Sequence, residues 1–162
     1  MKVIWWIAIA ILGVALVVVI AGQLGLLRGS APQDLGVKDG KLKPPSRTPN
    51  SVSSQADLYP DHPQVAYARI DALHYEGDGQ AALAKLAKLL AGQDRTVVVQ
   101  QTKDYVYAQC TTAVLHFTDD VEFWLNPDKP QIEVRSASRI GRKDFNVNRE
   151  RIEAMRRLLA QP

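Results

Sequence analysis

The chain has little of what builds a metal or redox site. Its 162 residues include one cysteine, Cys110, and three widely spaced histidines. One thiol allows no internal disulfide, and the sequence contains neither Cys-x-x-Cys nor His-Glu-x-x-His, the short spacings that zinc ligands use. We therefore expect no metal site and no cofactor. Cys110 is expected to be a buried thiol and His116 an ordinary strand residue.

Catalytic signatures are equally scarce. The sequence has no Gly-x-Ser-x-Gly elbow and no Gly-rich phosphate loop. Asp119 and Asp120 are neighbours on a predicted strand and point to opposite faces, an arrangement unsuited to paired-carboxylate catalysis. Aromatic residues are not interleaved with basic ones as a stacking platform requires, which argues against nucleic-acid binding. An enzyme is therefore the less favoured class, although it stays open.

A long apolar run is present instead, near the start of the chain. Val3 to Gly22 reads VIWWIAIAILGVALVVVIAG, twenty residues without a charge. About 20 apolar residues in a helix cross a hydrocarbon core of roughly 30 Å, whereas the apolar core of a signal peptide usually runs only about 7–15. The best cleavage candidate ends at Ala31, but Pro32 would follow the cut. We favour an uncleaved signal-anchor over residues 1–27, with a cleaved signal peptide as the alternative.

The side of the membrane is less directly encoded in the sequence. Lys2 precedes the run and five basic residues lie between Arg28 and Arg47, a distribution that the positive-inside rule associates with a cytoplasmic domain. Long domains, however, are translocated largely regardless of charge, and a very short tail before an apolar run is typical of a signal-anchor that exports the downstream domain. We therefore expect a single-pass membrane protein whose domain lies on the extracytoplasmic, periplasmic side.

Composition divides the rest of the chain into two parts. Residues 28–56 are polar and Pro-rich, and such sequence rarely buries enough surface to offset the entropy of ordering, which predicts a flexible linker. Residues 57–162 are expected to form a single domain.

Local patterns predict the elements of that domain. A strand is expected over Ala66–Tyr75, a helix capped by Asp78 and running through Leu90, and β-rich runs over Arg95–Gln101 and Tyr105–Phe117. Gly92 suits the end of the helix.

A hairpin is expected around the turn at 126–130. The register that pairs Leu125 with Ile132 also pairs Phe123 with Val134 and Glu122 with Arg135, so apolar side chains share one face and opposite charges the other. Asn148 is expected to cap a last helix over Arg149–Ala160. The fold class is therefore α+β: an antiparallel β-sheet with one helix near the start and one C-terminal helix, preceded by a single transmembrane helix.

Basic residues cluster after the hairpin. Arg135 and Arg139 share strand parity, with Ser138 beside them and Arg142 at the turn that comes next. Forked guanidinium groups next to hydroxyls suit a phosphate or carboxylate, which predicts an anion site. The alternative is that these arginines form ion pairs within the fold, with partners among Asp119, Asp120, Glu122 and Asp144.

These segments also carry a family resemblance. Asp119–Arg156 resembles the C-terminal signature of the domain-of-unknown-function family numbered 1499, and the segments Leu35–Leu42 and Pro49–Gln55 resemble its N-terminal motif. The resemblance implies a bacterial or plastid protein, commonly membrane-associated or exported, with no settled activity. The family often has two cysteines where this chain has Pro45 and Ser51, so no role that depends on those thiols is implied.

The motif at 49–55 is more specific than a spacer requires. We expect it to fold back near Arg135, Arg139 and Asp144, forming an ordered surface from Asn50, Ser53, Ser54, Asp120 and Asp144. The expected function is that of an uncharacterised membrane-anchored envelope protein that binds or scaffolds. Its expected partners are the lipid bilayer and either another envelope protein or a small anionic ligand. The alternative is an envelope hydrolase that uses Ser53, Asp120 or Asp144.

Overall fold

An apolar helix lies at the start of the described chain and touches the domain only through its last turn. The computed structural model describes residues 2–161, so Met1 and Pro162, the outermost residues of the predicted anchor and domain, lie outside the described residues. Helix α1 spans Lys2–Gln23, 22 residues that give a length of about 33 Å at 1.5 Å per residue. It is long and apolar enough to cross a membrane, although a signal sequence would meet the same criterion.

A single antiparallel sheet forms the centre of the domain, as predicted. The strands are β1 (Ser51–Ser53), β2 (Leu73–His74), β3 (Thr96–Gln101), β4 (Tyr105–Thr111), β5 (Thr118–Leu125) and β6 (Gln131–Ser138). They lie in the order β1-β6-β5-β4-β3, and β2 pairs with another part of β6.

The register of the β5–β6 hairpin is the predicted one. Leu125 pairs with Ile132, Phe123 with Val134 and Glu122 with Arg135. Because side chains alternate along a strand, this register puts the apolar residues on one face of the sheet and the charged residues on the other.

Two helices cover the apolar face. Helix α3 spans Gly79–Ala91, and the Asp78 carboxylate accepts the N–H groups of Gln80 and Ala81 at 2.7 and 3.1 Å, as an N-cap should. Helix α4 spans Val147–Leu159 and packs beside it. The core consists of buried side chains from both helices and from the sheet, among them Leu83, Leu86, Leu90, Val106, Val121, Phe123, Ile132, Val134, Ile152 and Met155.

Two predicted strands and the assignment of His116 were wrong. Ala66–Tyr75 is not one strand, because helix α2 (Val65–Ala68) precedes the two-residue β2. Strand β4 ends at Thr111, and residues 112–117 form the turn to β5, where Thr112 N–H donates to the Phe117 carbonyl at 2.9 Å. His116 lies in this turn with φ 53°, so it is not a strand residue.

The predicted cap of α4 was also wrong. The helix begins at Val147, and Asn148 is buried inside its first turn. The Asp144 carboxylate accepts the backbone N–H groups of Asn146 and Asn148 at 3.2 and 3.3 Å, so an acidic residue upstream satisfies the free N–H groups instead.

The segment 28–56 is not a free linker. Ser51–Ser53 is a strand of the sheet, and Leu42 is 1% exposed against Tyr105, Tyr107 and Trp124 on the face away from the helices. Those aromatic side chains form a second apolar surface, and Leu42 packs on it. The folded domain therefore begins well before residue 57.

Candidate functional site

The face of the sheet on which Leu42 packs carries a buried ion pair. Arg135 Nη1 lies 3.3 Å from Glu122 Oε2, and the two side chains are 4% and 0% exposed. The other carboxylate oxygen, Oε1, accepts hydrogen bonds from Gly36 N–H at 2.8 Å and from the Tyr105 hydroxyl at 2.9 Å. Burial and the Glu122 charge raise the pKa of Tyr105 above its usual value.

A second pair lies beside the first. Arg139 donates to both oxygens of Asp120, from Nε at 2.9 Å and from Nη2 at 2.7 Å, and its side chain is 6% exposed. The Tyr107 hydroxyl donates to Asp120 Oδ1 at 2.6 Å. The hydrogen bond with Asp120 raises the pKa of Arg139, while burial and the same carboxylate raise that of Tyr107.

These pairs decide what the two arginines do. A guanidinium group whose charge is already matched by a buried carboxylate has little capacity left for an external anion. Arg135 and Arg139 therefore act as internal partners of Glu122 and Asp120, which is the alternative that the sequence left open.

Sequence reasoning missed a third pair, on the helix face of the sheet. Arg151 Nη2 lies 2.6 Å from Asp119 Oδ2, with side-chain exposures of 16% and 4%. Arg151 directly precedes the buried Ile152 on α4, and this position beside the apolar stripe was the available sequence clue.

The motif at 49–55 contacts the end of β6, where it was expected. Asn50 Nδ2 donates to the Gly141 carbonyl at 2.8 Å, and Ser138 N–H donates to the Asn50 carbonyl at 3.0 Å. Asn148 Nδ2 reaches the Asn50 carbonyl at 3.1 Å, Ser138 Oγ at 3.0 Å and Asp144 Oδ2 at 2.9 Å. These bonds tie the motif, β6 and α4 together.

The two serines of the motif serve the same structure. Ser53 is fully buried opposite Arg135, and its hydroxyl accepts Gln55 N–H at 3.1 Å. Ser54 Oγ donates to Glu133 Oε2 at 2.6 Å and accepts Val134 N–H at 2.9 Å.

Arg142 differs from the other predicted anion ligands. It lies with Lys143 and Phe145 in the loop between β6 and α4, where Arg142 and Lys143 are exposed and Phe145 is 85% exposed. Neither Arg142 nor Lys143 has a side-chain hydrogen bond or ion pair within residues 2–161. The loop is held at its end by buried Asp144, which also accepts the Tyr67 hydroxyl.

The end of α1 lies against the same part of the domain. Gln23 Nε2 donates to the Val114 carbonyl at 2.8 Å, and a Cβ built on Gly22 would lie 2.7 Å from the Leu115 carbonyl oxygen. Further along, a Cβ on Gly29 would lie 2.8 Å from Arg139 Cβ. We call residues 24–29, 112–117 and 139–147 the anchor-proximal surface.

Among the grooves on the described part of the chain that lie outside the predicted site, two adjoin the helices. One of about 610 Å³ is lined by His74, Tyr75, Asp78, Lys85 and Leu159, and it contains none of the predicted site residues. Another of about 290 Å³ lies over Cys110, whose pKa is raised by burial. Across residues 2–161, no cluster of three or more His, Cys, Asp or Glu side chains is arranged to hold a metal ion.

Comparison with known proteins identifies the family alone. A family model described as "Protein of unknown function (DUF1499)" matches residues 41–159. No curated protein and no solved structure matches the chain. The matched region includes Pro49–Gln55 and Asp119–Arg156, the segments whose buried contacts join the motif to β6 and α4. The chain therefore belongs to the family of proteins of unknown function numbered 1499.

Proposed function

We propose that the protein is a single-pass, membrane-anchored binding or scaffolding module of the cell envelope, with its domain on the extracytoplasmic side. Its surface site for an anionic group consists of Arg142 and Lys143. The bilayer is one partner, and the second is another envelope protein or a small anionic ligand.

The exposed Arg142–Lys143 pair is the observation that carries this proposal. The two cations are adjacent and lack internal partners within the described chain, whereas Arg135 and Arg139 are neutralised by buried carboxylates. The loop is held by Asp144, Asn148 and Asn50 through hydrogen bonds to its backbone and neighbours. A fixed loop loses less conformational entropy when it binds than a free one does.

The three residues predicted as catalytic groups of a hydrolase do not support that alternative. Ser53 is buried inside the sheet, Asp120 is bound by Arg139 and Tyr107, and Asp144 is bound by Asn148 and Tyr67. A nucleophile or general base must reach the atom on which it acts, and these groups are committed to buried bonds.

Inorganic pyrophosphate is a suitable probe of the anion site. We expect it to raise the melting temperature of the full chain in zwitterionic micelles, by the equivalent of about 2.7 kcal/mol at a hundredfold excess over Kd. Added salt should weaken the effect because the charges are exposed. The double variant Arg142→Gln/Lys143→Gln should lose it, and the matched variant Lys103→Gln/Lys129→Gln should keep it.

Equal pyrophosphate stabilisation in both double variants would refute the site. The anchor and its direction are tested separately, by resistance to alkaline carbonate extraction and by a C-terminal reporter active only outside the cytoplasm. A mature chain that begins at Pro32 would refute the anchor, and a cytoplasmic reporter signal would refute the proposed side.

A further inference from the structure

Most of the exposed large apolar side chains of the domain lie at one end of the sheet. Among the described residues beyond α1 and the leucines directly after it, seven large apolar side chains are exposed. Four of them belong to the anchor-proximal surface, and Phe145 is the most exposed at 85%. The four are Val114, Ile140, Phe145 and Val147, and the others are Leu58, Val97 and Val99.

Strand register brings these residues to the same end of the sheet, where several strands begin or end. Thr111 pairs with Thr118 and Asp119 pairs with Ser138, so β4 ends, β5 begins and β6 ends at the same side of the sheet. The turn at 112–117 and the loop at 139–147 both leave from that side. The C-terminal end of α1 contacts the turn at 112–117 at Val114 and Leu115. This end of the sheet therefore faces any bilayer that α1 crosses.

The exposed charges of the anchor-proximal surface have one sign, and the turn before β3 at the same end of the sheet adds one exposed charge of each sign, Asp94 and Arg95. Arg28, Arg142 and Lys143 are exposed, whereas Asp144 is buried. The turns at the opposite edge mix both signs, with Lys103 and Asp104 in one and Asp128 and Lys129 in the other. An apolar side chain between basic residues matches the interface of an anionic bilayer, where apolar groups enter the headgroup region and cations pair with phosphates.

We propose that the anchor-proximal surface docks on anionic phospholipid headgroups of the bilayer that α1 crosses. Phe145 enters the headgroup region, and Arg142 and Lys143 pair with lipid phosphates. This proposal rests on the proposed function, because it names the source of the anionic group that the Arg142–Lys143 site binds. Each basic residue near an anionic surface raises the ratio of docked to undocked molecules about fivefold, so the pair raises that ratio about 25-fold.

The small number of phenylalanines provides a direct test. The chain has three, and they differ in exposure: Phe123 is buried in the core, Phe117 is half-buried and Phe145 is exposed. The full chain is labelled with 4-fluorophenylalanine and placed in nanodiscs of phosphatidylcholine, alone or mixed with phosphatidylglycerol. Fluorine NMR then records the broadening caused by headgroup spin-labelled lipid and by a water-soluble paramagnetic chelate, with the Phe145 resonance assigned from Phe145→Leu.

In mixed nanodiscs, spin-labelled lipid should broaden the Phe145 resonance and the soluble chelate should not, while Phe123 should respond to neither. Arg142→Gln/Lys143→Gln should lower the ratio of docked to undocked molecules about 25-fold, and Lys103→Gln/Lys129→Gln should leave it unchanged. The proposal is overturned if the chelate broadens Phe145 in both kinds of nanodisc, or if lipid broadening is the same with and without phosphatidylglycerol.

The pyrophosphate assay in micelles without anionic lipid separates this proposal from the proposed function. If pyrophosphate still stabilises the chain through Arg142 and Lys143 while Phe145 stays open to water, lipid docking is wrong and the anion site stands. If pyrophosphate has no effect and Phe145 is open to water, both are wrong.

Discussion

Removing Arg135 should strongly destabilise the domain, because it would leave a buried carboxylate without its partner. Glu122 is fully buried and lies 3.3 Å from the Arg135 guanidinium. Truncating one member of a buried pair costs about 3–5 kcal/mol. We expect Arg135→Met to fall near the lower end of that range, because Gly36 N–H and the Tyr105 hydroxyl continue to donate to Glu122.

A double-mutant cycle of Arg135→Met, Glu122→Gln and the double variant isolates the interaction between the two side chains. Glu122→Gln in the Arg135→Met background removes the orphaned charge but keeps an oxygen for Gly36 N–H, so the double variant should recover about 2 kcal/mol. Arg142→Met is the matched control at an exposed arginine, and it should stay within about 0.5 kcal/mol of the natural chain.

Urea denaturation of the full chain in zwitterionic micelles, followed by near-ultraviolet circular dichroism, measures these differences. If Arg135→Met unfolds at the same urea concentration as the natural chain but loses stabilisation by pyrophosphate, then Arg135 is an anion ligand. That result would refute the assignment of Arg135 as an internal ion-pair partner.

Three further predictions concern the anchor contact, alkaline stability and the motif loop. Gly22→Leu should separate the end of α1 from the turn at 112–117 and speed hydrogen exchange in that turn. Gly13→Leu should not, because Gly13 has open space around it. Equal exchange rates in the two variants would exclude a tight contact between α1 and the turn. Burial and the hydrogen bond to Asp144 raise the pKa of Tyr67 to about 12, and burial also raises that of Tyr107. Because the protonated phenols are favoured in the folded state, stability should be intact below pH 10 and fall as the pH rises toward 12; urea midpoints that stay constant over this range would contradict the reasoning. Ser51 Oγ accepts Ser46 N–H at 2.8 Å, which brings position 51 close to the residue after Pro45. The variant Pro45→Cys/Ser51→Cys places cysteines where the family resemblance implies them. It should therefore form a disulfide under oxidising conditions that stabilises the domain by about 2 kcal/mol. An oxidised variant no more stable than its reduced form would show that the geometry does not suit a disulfide.

Helices α1, α3 and α4 and the hairpin were predictable because short-range rules determine them. Asp78 as a cap, the leucine stripe of α3 and the pairing of Glu122 with Arg135 follow from helical spacing, strand alternation and turn length. Boundaries that depend on distant contacts were not predictable. The run from Tyr105 continues as β-rich sequence to Phe117, but the strand stops where the end of α1 contacts the turn.

The segment at 28–56 was misjudged for a related reason. Composition counts its few apolar residues but does not reveal that Leu42 lies over a cluster of Tyr105, Tyr107 and Trp124. The contact of Asn50 and Ser53 with β6 was predictable because the resemblance linked two distant segments, but both residues are buried and do not form the expected surface. The partners of Arg135 and Arg139 remained undecided, since the same guanidinium groups suit an internal carboxylate or an external anion.

Hydrogen exchange of the full chain in anionic and neutral nanodiscs is the most direct measurement of how the domain sits on the bilayer. Anionic lipid should slow exchange at 112–117 and 139–147 and leave the turn at 126–130 unchanged. Slower exchange at 126–130, or no difference between the two edges of the sheet, would contradict docking through the anchor-proximal surface.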